Sequence, residues 1–174
     1  MGTRPFTVVI APLPSSRQLA DLLADLQVER SKLQTLVESL KHLQQTWEEP
    51  QGVEERCDAA ALRLQSFYTG IERCLVQIVR VLNGGPPDGA DWHRRLLERM
   101  AIATEARPAV LAAGTVGRLG ELLRFRHVVR HLYAYELERD QVFRLLTSAI
   151  GLWPQLQVDF DRFGAWLNDL SGPA

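Results

Sequence analysis

SRQLADLLADLQVERSKLQTLVESLKHLQQTWEE, residues 16–49, spaces its apolar side chains in a way that decides the fold class. Leu19, Leu22, Leu26, Leu33, Leu36, Leu40, Leu43 and Trp47 recur in alternating steps of three and four, broken only at Glu29. That period belongs to one face of a long α-helix, and a stripe of this length has to be buried against other helices. Ser15 or Ser16 can cap its start, and Pro50-Gln51-Gly52 ends it.

The rest of the chain supplies the partners. A second helix is expected from about Val53 to Asn83, with Leu64, Tyr68, Ile71, Leu75, Ile78 and Leu82 on one stripe. Phe67, Cys74 and Val81 widen that stripe, so it should meet more than one neighbour. Gly84-Gly85-Pro86-Pro87-Asp88-Gly89 is a loop, since glycine and proline both stop a helix. Asp91 then caps a short helix to about Ala103, and a loop around Pro108 leads to a helix from about Thr115 to Tyr135. Two further helical segments are expected, Arg139 to Leu152 and Pro154 to Leu170, with Pro154 in a first turn. Leu156, Phe160, Phe163, Leu167 and Leu170 form the core face of the last one. A strand-like pattern occurs only at Phe6–Ala11. These features predict an all-α, single-domain antiparallel helical bundle of about five to six helices over residues 15–174, after an extended segment at 1–14.

Length and composition bound the possibilities. A chain of 174 residues with 46% apolar content can bury a sizeable core. The net charge of −1 gives no global attraction to nucleic acid or acidic membranes, so any polyanion must be met by a local basic patch. No apolar run is long enough to cross a bilayer, and the N-terminal stretch is too short and too weakly flanked for a signal peptide. Cys57 and Cys74 fall on one helix about 25 Å apart, beyond disulfide reach, which fits reduced thiols and a cytoplasmic location.

The chemistry concentrates in Arg126-His127-Val128-Val129-Arg130-His131-Leu132-Tyr133. On a wheel of about 100° per residue, Leu122, Phe125, Val128, Val129 and Leu132 share one arc, and Arg124, Arg126, His127, Arg130 and His131 share the other. Histidine titrates near neutrality and arginine stays charged, so together they offer proton transfer beside fixed positive charge, a combination suited to phosphodiesters. The plainer account is a solvated helix end, where cations favour the dipole by a few tenths of a kcal/mol. His127 and His131 stand four apart, as metal ligands can, but no neighbouring Cys, Asp or Glu completes a set, so no metal is expected. His42 and His93 read as surface or interface histidines. One geometric difficulty stands out: on a continuous helix Arg126 and His131 lie about 140° apart. Three remedies exist: the helix ends or kinks near His131, the arginine wraps, or a second copy of the chain supplies the missing group.

Arg126-x4-His131-x-Tyr133 resembles the Arg-x4-His-x-Tyr signature of the HepT-type toxins of the HEPN superfamily. Similar, too, are Phe67–Arg73, Trp92–Leu97, Arg107–Val110 and Leu122–His131, so that the resemblance spans roughly residues 55–170. It implies a homodimer in which two motif helices form one metal-independent ribonuclease cleft, needing no cofactor. Arg126 and His131 would then be catalytic, the arginine stabilising the scissile phosphate and the histidine acting as general acid or base. His127, Arg130 and Arg124 would support the site or bind RNA. Tyr133 would be the residue adenylylated by a minimal nucleotidyltransferase antitoxin, which adds bulk and negative charge at the cleft. Two other readings use the same residues. One is a catalytically inactive HEPN domain that binds nucleotide or regulates a nucleotidyltransferase. The other is a helical interaction module assembled through the first helix.

Overall fold

The computed structural model describes residues 14–131 and 137–171 of the chain. Five helices follow one another: α1 (Ser16–Gln45), α2 (Val53–Leu82), α3 (Trp92–Met100), α4 (Ala113–Val129) and α5 (Arg139–Ser171). No strand occurs among the described residues. The expected extended segment at 1–14 lies, apart from Pro14, outside them, and so does Tyr133.

α1 starts where its capping chemistry places it. Ser15 Oγ accepts from the Gln18 backbone N–H at 3.3 Å, and Gln18 Oε1 accepts from the Ser15 N–H at 2.9 Å. Its leucine stripe is buried from Leu19 to Leu43, with Trp47 just beyond the helix and Val37 in place of the half-buried Leu36. Glu29, the break in the stripe, is buried as well, held by Lys32 at 2.7 Å and Arg73 at 3.1 Å. Burial alone would raise its carboxyl, but these two cations outweigh that and hold it below the usual range.

α1 runs antiparallel to α2, pairing Glu29 with Arg73 and Leu33 with Gly70. At Gly70 the helices are so close that a Cβ would stand 2.8 Å from Leu33 Cδ2. α1 also runs antiparallel to α5, where Gln34 accepts from Trp153 Nε1 at 2.6 Å and Gln44 donates to Thr147 Oγ1 at 3.0 Å. α2 ends in a left-handed turn: Gly84 (φ 76°) and Gly85 (φ 126°) let the Gly85 N–H return to the Val79 carbonyl at 2.9 Å. Both cysteines are buried, reduced thiols, and burial pushes Cys74 up to about 12.

Three expectations need correction. Pro154 does not open a separate helix but sits inside α5, which is continuous from Arg139 to Ser171. The bundle holds both halves on one buried stripe through Leu146, Ala149, Leu152, Trp153, Leu156 and Phe160, which outweighs the backbone bond that proline removes. Arg118 of α4 also donates to the Ser148 and Gly151 carbonyls just before the proline. Asp91 stands before α3 without a side-chain cap and pairs with Arg94 at 2.7 Å instead. α4 ends at Val129, six residues short of Tyr135.

α4 is fixed at its start by a residue of α5. Asp159, fully buried, accepts from the Ala112 N–H at 3.1 Å and from Thr115 Oγ1 at 2.8 Å. A carboxylate at a helix N-terminus satisfies orphan donors and opposes the positive end of the dipole. The helix carrying the motif is thereby anchored at the end opposite the motif.

Candidate functional site

Only four of the five expected cationic residues lie on the exposed face of α4 and its end: Arg124, His127, Arg130 and His131. Arg126 is buried at 8% exposure, while Val128, expected inside, is 46% exposed. Arg126 lies about 40° from Leu122 on the wheel, so a modest rotation of the buried arc takes it in and turns Val128 out. What draws it in is an anion on α2. Arg126 Nη2 is 3.9 Å from Glu72 Oε2, and the guanidinium lies over the Tyr68 ring, 5.7 Å from its centroid.

Glu72, itself buried, gathers three side chains from three helices, Arg126 among them. Tyr68, one turn earlier on α2, donates its O–H to Oε1 at 3.2 Å. His93 of α3 donates Nδ1–H to the same oxygen. Trp92 stacks on the His93 ring at 3.7 Å, and His93 meets the His127 ring edge-on at 5.9 Å between centroids. The phenol of Tyr68 is pushed far up, by burial first and then by the Glu72 charge and hydrogen bond, so it stays a donor. Arg126 Nη1 is buried and has no hydrogen-bond partner among the described residues.

His127 is held below its ordinary value by partial desolvation and then by the positive fields of His93, Arg126, Arg130 and His131. A depressed imidazole is neutral near pH 7 and can accept a proton. His131 follows the end of the helix: the Arg130 N–H bonds to the Arg126 carbonyl at 3.3 Å, and the His131 N–H to the Val128 carbonyl at 3.0 Å. That tighter last turn ends the helix just before His131, and about 120° per residue there does not bring His131 round to Arg126.

A model of HepT-like proteins matches residues 59–167, well over half of the chain. The chain belongs to the HepT-like proteins of the HEPN superfamily. No curated protein and no solved structure matches it significantly. In this HepT-like chain the matched region runs from α2 to α5 and so contains Tyr68, Glu72, His93 and the whole of α4.

Sequence reasoning missed Glu72 and read His93 as a surface or interface histidine; its side chain is 15% exposed and paired with Glu72 between helices. The signal was present in α2: Glu72 falls on the buried arc between Tyr68 and Leu75, where a carboxylate demands partners. The widest groove, between α1 and α2, about 520 Å³, contains none of the motif residues. A second, about 470 Å³, runs along the motif helix between Arg124 and Val128 on one side and Gln141 and Arg144 on the other. No described helix is long and apolar enough to cross a membrane.

Proposed function

We propose that this HepT-like chain is the toxin of a toxin–antitoxin pair, a metal-independent endoribonuclease acting as a homodimer in the cytoplasm. The observation carrying this reading is the match to HepT-like proteins over residues 59–167, together with Arg124, His127, Arg130 and His131 exposed at the end of α4. Arg126 and His131 stay about 140° or more apart on one chain, so a second copy of the chain is what would bring an arginine and a histidine to one phosphodiester.

RNA brings its own nucleophile, the 2′-hydroxyl. A base removes its proton, the oxygen attacks phosphorus, and the bond to the 5′-oxygen breaks as an acid protonates that oxygen. The products are a 2′,3′-cyclic phosphate and a free 5′-hydroxyl. The chain has the groups this needs: His131 for proton transfer, Arg126 for the charge of the phosphorane, and Arg124, Arg130 and His127 to hold the strand. Adenylylation of Tyr133 by a nucleotidyltransferase antitoxin would set a phosphate against those cations and close the cleft to RNA.

The test begins with intact mass, to establish that Tyr133 is unmodified. The protein is then incubated with total RNA and tRNA in EDTA beside His131→Ala. Cleavage should fall on the order of 10²-fold or more in the variant. Full activity in His131→Ala removes the assignment, and an inactive, unmodified wild type turns it toward nucleotide binding.

A further inference from the structure

The Glu72–His93 pair has the build of a general base that the Arg-x4-His motif does not include. His93 Nδ1 donates to Glu72 Oε1, and that carboxylate is fixed in turn by the Tyr68 hydroxyl and faced by Arg126. With Nδ1 committed, the ring carries its available lone pair at Nε2. The stacked Trp92 ring sets the imidazole plane, and the edge-on His127 ring borders it on the α4 side. A histidine backed by a buried carboxylate is oriented for proton abstraction, and the imidazolium formed has its counter-ion already in place.

We infer that His93, oriented by Glu72, is a second proton-transfer residue of the cleft, the base that activates the 2′-hydroxyl while His131 protonates the leaving oxygen. The inference rests on the ribonuclease reading and deepens it. In the step, the 2′-hydroxyl proton passes to His93 Nε2 as the 2′-oxygen bonds to phosphorus. His131 gives its proton to the departing 5′-oxygen, and both histidines then exchange with water. The cluster explains a division of labour between the histidines. The titratable and charged groups around His93 are Glu72 and Tyr68 from α2 and Arg126 and His127 from α4, while its sequence neighbours Asp91 and Arg94 pair with each other. Of these Glu72 is the group in direct contact, so an imidazolium formed at His93 has a carboxylate, shared with Arg126, beside it. His127 is acted on by His93, Arg126, Arg130 and His131 and pairs with no carboxylate among the described residues.

The experiment measures single-turnover cleavage in EDTA across pH for the full chain, for His93→Gln and for Glu72→Gln, beside binding of an RNA with a 2′-deoxy scissile nucleotide. His93→Gln should cut on the order of 10²-fold more slowly, lose the acidic limb of the pH–rate profile, and bind the deoxy strand within about threefold of wild type. Glu72→Gln should cut more slowly than wild type while binding the deoxy strand within about threefold of it. A second readout needs no cleavage: nitrogen-15 shifts of His93 should report the Nδ1–H tautomer in the wild type and its loss in Glu72→Gln. A His93→Gln rate within threefold of an active wild type overturns the inference and leaves the ribonuclease reading standing. So does an unchanged acidic limb, or a loss matched by equal loss of binding. A wild type that cleaves nothing overturns both.

Discussion

His127 titrates among cations, and the direction of its shift fixes a pH window. Its folded-state value lies below the ordinary 6.5, through partial desolvation first and then through His93, Arg126, Arg130 and His131. Between those two values the unfolded chain takes up a proton that the folded chain refuses. Stability is therefore lost as pH falls from 6.5 through the folded value, and is unaffected above that window. His127→Gln should accordingly match wild type in urea above about pH 7, gain on it progressively across the window, and hold that gain below it. Ring proton NMR checks the premise: a His127 midpoint at or above 6.5 would contradict it. Side chains of this kind were half legible. The spacing of Arg126, His127 and His131 reads directly from the chain, because the motif is local. The burial of Arg126 does not, because it depends on Glu72, 54 positions earlier, and the partner of His93 is equally remote in sequence. A wheel weighs each residue by its own polarity and so turns every arginine outward; an anion across the interface reverses that.

At the scale of elements, the anchor of α4 is the contact with the largest leverage on the site. Asp159 sits on the buried stripe of α5 and accepts from both Ala112 and Thr115 at the head of the motif helix, with Arg162 and Gln155 on its other oxygen. Asp159→Ala strands a buried amide and a buried hydroxyl, at a cost of about 2–4 kcal/mol, read as the shift in urea unfolding followed by circular dichroism. Asp159→Asn keeps an acceptor but loses the charge at the helix head, and should cost about 1 kcal/mol. Equal stability of Asp159→Ala and wild type would show that α4 is held by its apolar face alone. The start of α1 and the breaks after α1 and α2 were legible, since Ser15 with Gln18, Pro50–Gly52 and Gly84–Gly85 are local signals with local physics. Pro154 misled for the converse reason. Its local preference is to start a helix, but the packing of α5 on α1 and the donors of Arg118 belong to the tertiary structure.

The whole molecule carries a net charge of −1, yet Arg124, Arg130, His127 and His131 stand exposed at one end of one helix, with Val128 bare among them. A monomer gains nothing by exposing that valine, whereas a face shared between two copies would cover it and bring two sets of motif residues to one cleft. The proposed homodimer makes this the centre of its interface, and Val128→Glu is the variant that addresses it. The side chain is solvent-facing in the single chain, so the substitution should leave helix content and unfolding midpoint unchanged, within about 0.5 kcal/mol. Buried in a symmetric interface, the same glutamate meets its own copy across the two-fold axis, and like charges there are costly. Sedimentation velocity should find the wild type at about twice 19.6 kDa and the variant at the single-chain mass. Cleavage should fall with dimer content, and raising the variant's concentration should restore part of it, because the motif residues themselves are intact. A variant that stays dimeric and active places the interface elsewhere. One that becomes monomeric and keeps full activity shows that each chain holds a complete site.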